Sequence, residues 1–230
     1  MALDTTSTGT ERAPARPGGR VPRWGIAAFL LGGAALLLIA VVASRAGEPT
    51  VTPADAWKGT LLEHPVARPD FSLTDTSGAP FSFGTQTAGE LTILFYGYTH
   101  CPDVCPLTMV TLAQALDEAQ VAARVVFVTT DPARDTPERL RSWLDNFDPR
   151  FVGLTGSEAA VDEAQKLVGM SPAIREAPDA NGNYAVGHGA GVYVFTPDDQ
   201  AHLVYPSGTR QEEWVNDLPR IAAESAWRQR

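Results

Sequence analysis

Short apolar segments that alternate with helical segments constrain the fold of this chain more than any other feature of its sequence. Residues 91–98, 124–130 and 151–155 are rich in β-branched and aromatic side chains, which predicts three buried strands. Between them, apolar residues recur at helical spacing over 107–122, and Thr136-Pro137-Glu138 begins a second helix with a capping threonine and a proline at its first position. Strands that alternate with helices predict an α/β domain built on a central sheet.

The flanking segments complete this domain with two hairpins and two more helices. The hairpin strands are predicted at residues 71–73, 81–83, 190–196 and 201–206. Helices are predicted over 157–168 and from 209 to about 226, with a Pro/Asn/Gly-rich excursion at 171–187. The expected fold is a three-layer α/β domain of thioredoxin-like size and order, with a mixed central sheet and an N-terminal hairpin.

The first 46 residues differ from the rest in charge and hydropathy. Five arginines against two carboxylates give them a charge of +3, whereas the remainder of the chain carries −12. Residues 25–44 carry no charged side chain, and some 18 of them in a helix would span about 27 Å, close to the thickness of a bilayer core. Four arginines before this segment and one after it predict a single transmembrane anchor with a cytoplasmic N-terminus. A cleaved signal peptide is the alternative, since Ala43-Ser44-Arg45-Ala46 faintly resembles a cleavage site.

Composition also predicts how the chain is organised around this anchor. Residues 1–24 are expected to be a disordered cytoplasmic tail, 25–44 the transmembrane anchor, 45–65 a proline-rich linker and 66–230 the folded domain. The predominance of arginine over lysine suggests a bacterial chain, which would place the domain on the extracytoplasmic side of the cytoplasmic membrane. The acidic domain excludes a nucleic-acid binder, because such a protein needs a basic face to displace counterions from phosphates.

The chemistry of the chain is expected in GYTHCPDVCP, residues 97–106, which joins the end of a predicted strand to the start of a helix. Open α/β sheets place their ligand-binding sites at this edge. Two cysteines can form only one disulfide, which is too few to stabilise a fold of this size. A helix N-terminus favours thiolate over thiol, which we expect for both Cys101 and Cys105. Their spacing puts the sulfurs on one helix face, where a bridging metal fits more easily than an undistorted disulfide. Both states remain open on this pattern.

A third ligand would complete a metal site on these cysteines. Two thiolates select soft metals, Cu(I) first, and histidine is the natural third ligand. Of the four histidines, we expect His64 in the linker and His202 on an outer strand to be solvated, and His100 to point away from its neighbour Cys101. His188 is flanked by glycines, which allow close backbone approach and movement. By its residues alone, His188 is either a ligand or a structural histidine.

Four sequence blocks occur together in a fixed order. They are GYTHCPDVCP, TTDPARDTPERL at 129–140, LTGS at 154–157 and YAVGHGAGVYVFTPDD at 184–199. In this order and spacing, over roughly residues 66–226, the chain resembles the Sco/SenC family of membrane-anchored copper-binding proteins. The resemblance implies a thioredoxin-like fold and a role in supplying copper to the binuclear CuA centre of cytochrome c oxidase.

The resemblance also implies roles for individual residues. The family's copper ligands match Cys101, Cys105 and His188, and Asp131 falls where the family keeps an acidic residue near the cysteines. Asp131 would then orient the ligands without binding the metal itself. Its alternative role is helix capping or turn formation. The chain departs from the pattern at Gly187, where many members carry an aspartate whose carboxylate would orient the imidazole.

Two functions follow as hypotheses. A copper metallochaperone, held to the membrane by its N-terminal helix, would bind one copper ion, as Cu(I) and/or Cu(II), through these three ligands. It would receive the ion from an extracytoplasmic donor and deliver it to the CuA-bearing oxidase subunit. A thiol-disulfide oxidoreductase would instead use Cys101 and Cys105 as a redox pair that reduces the CuA-site cysteines, with Cys101 as the attacking thiol. His188 discriminates between the two, because only copper binding requires it.

Overall fold

A computed structural model describes residues 56–223 of the chain. These residues belong to one compact unit. The tail predicted at 1–24 and the anchor predicted at 25–44 lie outside the described residues, as does the predicted linker up to residue 55. In the described range, no helix is both long enough and apolar enough to cross a membrane.

Ten strands and five helices make up the described part of the chain. The strands are β1 (Thr60–Ala67), β2 (Ser72–Asp75), β3 (Pro80–Ser82), β4 (Thr92–Gly97), β5 (Arg124–Thr129), β6 (Val152–Thr155), β7 (Ile174–Arg175), β8 (Val186–Gly187), β9 (Gly191–Phe195) and β10 (Gln200–Pro206). The helices are α1 (Phe83–Gln86), α2 (Val104–Ala119), α3 (Pro137–Leu144), α4 (Glu158–Leu167) and α5 (Gln211–Ala222). Both predicted hairpins, the three predicted buried strands and the four predicted helices are confirmed, with their ends shifted by a few residues.

Eight of the strands form one sheet, in the order β1-β10-β9-β4-β5-β6-β2-β3. The pairs β4–β5 and β5–β6 are parallel and the other pairs are antiparallel, so the predicted mixed sheet is confirmed. Gly97 aligns with Thr129 in parallel register, and the turns that follow β4 and β5 therefore leave the sheet at the same edge. β9 runs in the opposite direction, with Val192 opposite Phe95, so the chain enters β9 from that edge too.

Helices cover both faces of this sheet, which makes the three layers that the sequence predicts. On one face, Phe95 and Phe127 pack beneath α2, α3 and α5. On the other face, Leu94 and Tyr96 pack with α4 and with the aromatic residues of the N-terminal hairpin. All six residues of β4 are buried, as expected for a central strand with both faces covered.

An edge strand begins within the segment predicted as linker, so that prediction is wrong for residues 60–65. β1 pairs antiparallel with β10, and its register shifts between Leu61 and Val66. Pro65 lies in this irregular stretch, where it is tolerated because an edge strand forms ladder hydrogen bonds on one side only. Most of β1 is exposed, so its sequence lacks the apolar alternation that would have revealed a strand.

A second, two-stranded sheet orders part of the excursion predicted at 171–187. β7 and β8 pair antiparallel, with Ile174 opposite Gly187 and Arg175 opposite Val186. His188 follows β8 directly, and β9 begins three residues later. Residues 171–190, which we call the His188 arm, lead to the edge of the sheet where the cysteines lie.

Candidate metal centre

The turn after β4 places the two cysteines at the start of α2. Asp103 caps this helix, because its side chain accepts a hydrogen bond from the Val104 amide at 2.6 Å. Cys101 precedes the helix and Cys105 is its second residue. The Cys105 amide donates to Cys101 Sγ at 3.4 Å, and both cysteines are free thiols. The pair is thus held together by the local structure of the helix start.

The two cysteines differ in exposure. Cys101 is half-buried, whereas Cys105 is fully enclosed in the core beneath α2. Burial raises the pKa of the Cys105 thiol far above its ordinary range; the Tyr98 amide opposes this shift and the charge of Asp135 adds to it. The expectation of two thiolates is therefore wrong for Cys105, because the loss of water outweighs the partial charge of the helix N-terminus.

Gly97, the last residue of β4, leaves the space that the Cys105 sulfur occupies. A Cβ at this position would lie 2.9 Å from Cys105 Sγ and 2.9 Å from Cε2 of Phe127. Carbon and sulfur atoms do not pack this closely, so any larger residue would displace one of the two side chains. The glycine before the motif therefore sets where the buried sulfur sits.

His188 has the tautomer that a metal ligand needs. Its Nδ1 lies 2.8 Å from the Gly189 carbonyl oxygen, which can only accept, so Nδ1 carries the proton and Nε2 keeps a free lone pair. Burial lowers the pKa of His188 and so favours the neutral imidazole. The ring packs edge-on against Tyr98, with 5.9 Å between the ring centroids. Sequence reasoning did not identify this contact between Tyr98 and His188.

The three predicted ligands lie at one edge of the sheet, but in this conformation they are not close enough together to bind one metal ion. In the range 56–223, no three His, Cys, Asp or Glu side chains are grouped closely enough to hold a metal ion. Cys101 and Cys105 are together, and His188 lies beside Tyr98, the residue three positions before Cys101. Gly187 has no Cβ, so the residue before His188 has the wider range of backbone conformations that glycine allows.

Asp131 is fully buried, and its side chain bonds toward the His188 arm. It pairs with the Arg134 guanidinium and accepts a hydrogen bond from the Tyr184 hydroxyl at 2.8 Å. Its backbone carbonyl also accepts from the Arg134 and Asp135 amides in a turn. The side chain thus supports the segment that carries the histidine, through Arg134 and Tyr184.

Asp135 is the buried carboxylate beneath the cysteine turn, and sequence reasoning missed it. It accepts hydrogen bonds from the Thr99 amide at 2.9 Å, the Thr99 hydroxyl at 2.5 Å and the Thr129 hydroxyl at 2.6 Å. These bonds tie the turn after β4 to the end of β5. The sequence feature that could have revealed Asp135 is the DPARD motif, whose second aspartate it is, four residues after Asp131.

The other three histidines make contacts that agree only in part with expectation. His64 is exposed on β1. His202 is largely covered and pairs with Asp198 at 2.8 Å, so the expected solvated side chain is not observed. His100 Nδ1 lies 3.3 Å from the Thr99 hydroxyl, consistent with a ring directed away from Cys101.

The donor chemistry of this edge fits a soft metal. Two sulfur donors and one imidazole nitrogen suit Cu(I), whereas the carboxylates of Asp131 and Asp135 are already engaged by other groups. Copper binding would require only deprotonation of the thiols and a movement of His188 toward the sulfurs.

Known proteins resemble this chain in sequence and in structure. It is 34% identical over 134 residues to the mitochondrial protein SCO2 of Saccharomyces cerevisiae, a match that covers 56% of this chain and 44% of the yeast protein. The solution structure of apo Sco1 from Thermus thermophilus is 33% identical, with a TM-score of 0.64 over 72% of this chain and 97% of that one. A structure of Bradyrhizobium japonicum ScoI with copper bound is 30% identical, with a TM-score of 0.60 over 67% of this chain and 99% of that one.

The family described as SCO1/SenC matches residues 60–223, which is most of the chain. The chain belongs to the SCO1/SenC family. Membership confirms the expected family and the thioredoxin-like fold. In this SCO1/SenC protein the Gly189 carbonyl accepts a hydrogen bond from the imidazole, although Gly187 stands where the resemblance leads us to expect an aspartate.

Proposed function

We propose that this protein is a copper metallochaperone that binds one copper ion through Cys101, Cys105 and His188. The single observation that carries the proposal is the pairing, at one sheet edge, of two reduced thiols with an imidazole whose Nε2 is free. The family and the copper-bound Bradyrhizobium japonicum ScoI support the choice of metal. The acceptor is the CuA-bearing subunit of cytochrome c oxidase, and the donor is an extracytoplasmic copper carrier.

The burial of Cys105 shapes how copper is taken up. Its thiol is protonated at neutral pH, so copper must displace a proton when it binds there. Cys101 is half-buried and meets the ion first. Movement of the His188 side chain toward the sulfurs then completes the set with a neutral nitrogen ligand. Release follows the reverse order. The thiolates and the imidazole can be exchanged one at a time for the acceptor's ligands, so copper is transferred without being released as a free ion.

The site favours Cu(I), because its two sulfurs are soft donors. Cu(II) is compatible with the imidazole ligand and is the second oxidation state that the protein handles in this proposal. The N-terminal anchor would hold the domain on the extracytoplasmic side of a bacterial cytoplasmic membrane, where the CuA site is assembled. A C-terminal fusion to a reporter enzyme that is active only outside the cytoplasm tests this topology. An active fusion is expected, and an inactive one would contradict the proposal.

Copper titration of the purified full-length protein tests the ligand set. Cys101→Ser and Cys105→Ser should abolish tight binding, and His188→Ala should weaken it. His64→Ala serves as the matched control, because this histidine is exposed on β1. Unchanged stoichiometry and affinity in all three ligand variants would refute the proposal.

A thiol-disulfide oxidoreductase is the second function, and the unequal burial of the cysteines favours it. Cys101 is accessible and would attack a disulfide in the CuA site, with release of one target thiol. Cys105 would then attack the mixed disulfide, which frees the second target thiol and leaves a Cys101–Cys105 disulfide. An external dithiol must reduce the pair again. Turnover that persists in His188→Ala would support this function, and no reduction of a CuA-domain disulfide would exclude it.

A further inference from the structure

The His188 arm is attached to the end of β5 by buried charged and aromatic groups that the copper chemistry itself does not use. We propose that Asp131, Arg134 and Tyr184 act as a clamp that positions His188 for copper binding. This inference rests on the proposed function. It assigns positioning roles to Arg134 and Tyr184, which no sequence pattern suggested.

Asp131 is the centre of the clamp. Its side chain is fully buried, and the residue lies two positions after Thr129, the last residue of β5. One carboxylate oxygen pairs with the Arg134 guanidinium, and the other accepts from the Tyr184 hydroxyl at 2.8 Å. A buried carboxylate needs such partners, because an unpaired charge in the protein interior is strongly unfavourable. The arm therefore supplies part of the environment that keeps Asp131 stable.

Arg134 holds Tyr184 in two further ways. Its Nη2 donates to the Tyr184 backbone carbonyl at 3.0 Å. Its guanidinium carbon lies 3.5 Å from the centroid of the Tyr184 ring, which is the geometry of a cation–π contact. Tyr184 is thus fixed by its hydroxyl, its ring and its backbone, all from groups within one short turn after β5.

The other limb of the arm is attached to the same edge. Arg175 Nη2 donates to the Thr130 carbonyl at 3.0 Å, and Arg175 pairs with Val186 between β7 and β8. The Val186 amide lies 3.5 Å from the Tyr98 hydroxyl. These contacts fix the position of Val186, and only one residue separates it from His188.

The clamp therefore controls where the imidazole can go. Two residues of chain reach at most about 7 Å, so a fixed Val186 confines His188 to the neighbourhood of Tyr98 and the cysteine turn. Gly187 supplies the freedom to close this last step. Without the clamp, the arm would sample other positions, and copper binding would have to supply the free energy of ordering it.

Tyr184→Phe is the sharpest test, because it removes only the hydroxyl that bonds Asp131 and keeps the ring over Arg134. Tyr193→Phe is the control: it removes a hydroxyl from a half-buried tyrosine on β9, outside the clamp. Cu(I) affinity of the full-length protein is measured by competition with a chromophoric chelator. We expect Tyr184→Phe to weaken binding about tenfold, the lower end of what loss of an outer partner costs a metal site, and Tyr193→Phe to leave it unchanged.

A double-mutant cycle separates positioning from a general structural role. In a His188→Ala background, Tyr184→Phe should cause no further loss of copper affinity, because the clamp acts through the histidine. An equal loss in both backgrounds, or no loss in either, would overturn the proposal.

Hydrogen exchange of the copper-free protein distinguishes failure of the clamp from failure of the ligand assignment. Tyr184→Phe should speed exchange of the amides at 184–188 severalfold and leave those of β4 unchanged. If His188→Ala binds copper normally, the ligand assignment is wrong, and faster exchange in Tyr184→Phe would still support a clamp on the arm. Unchanged exchange in Tyr184→Phe would overturn the clamp itself.

Discussion

Gly97→Ala should damage the copper site through a single methyl group. The new Cβ would lie 2.9 Å from Cys105 Sγ and 2.9 Å from Phe127 Cε2, about 0.6 Å or more inside ordinary contact distances. Both neighbours are fully buried and cannot turn away freely. Overpacking of this kind costs about 1–3 kcal/mol of unfolding free energy.

The same overlap should weaken copper binding, because metal–sulfur distances tolerate changes of only about 0.2 Å. We expect Gly97→Ala to lower Cu(I) affinity by about 10–100-fold, the range seen when a supporting group of a metal site is lost. Urea denaturation of the copper-free protein measures the first effect, and chelator competition measures the second.

Gly153→Ala provides the matched control on β6, which lies on the far side of β5 from β4. Its Cβ would lie 2.7 Å from Leu144 Cδ1 and 2.9 Å from Thr76 Cγ2, with no sulfur nearby. It should lower the unfolding free energy to a similar extent and leave copper affinity unchanged. The reasoning is refuted if folded Gly97→Ala binds copper as tightly as the wild type, or if Gly153→Ala loses copper affinity equally.

Two further predictions concern groups in the core. The raised pKa of Cys105 means that the folded state keeps a proton which the unfolded chain loses above pH 9.0; the stabilisation is complete below that pH and should fall by about 1.4 kcal/mol per pH unit above it. Because burial also raises the pKa of Tyr96 and Tyr205, Cys105→Ser should reduce the slope in urea titrations of the copper-free protein by this amount without abolishing it, and an unchanged slope would assign it to the other groups. Asp217→Asn should cost about 1–3 kcal/mol in unfolding free energy without altering copper stoichiometry; a stable variant, or one that fails to bind copper, would contradict this. The carboxylate of Asp217 accepts hydrogen bonds from Lys58 N at 2.7 Å, Gly59 N at 3.2 Å and the Tyr205 hydroxyl at 2.7 Å.

Local patterns in the sequence were enough to predict most of the elements. β4 and β5 read as buried strands because both of their faces carry apolar side chains. The helix at 137–144 was identifiable from Thr136, which caps it through the Arg139 amide. β1 was not predicted, because an exposed edge strand that contains Pro65 has the composition of a linker.

Local patterns were enough to place two cysteines between a strand and a helix, and the motifs pointed to His188 and Asp131. How each of these groups behaves depends on the packing of the folded domain. Cys105 is enclosed beneath α2, so its thiol holds its proton against the effect of the helix N-terminus. Asp131 turns toward Tyr184 on the His188 arm, a residue 53 positions away in the chain. Burial and long-range pairing depend on how β4, β5 and the arm come together in space, and local sequence patterns carry no information about that packing.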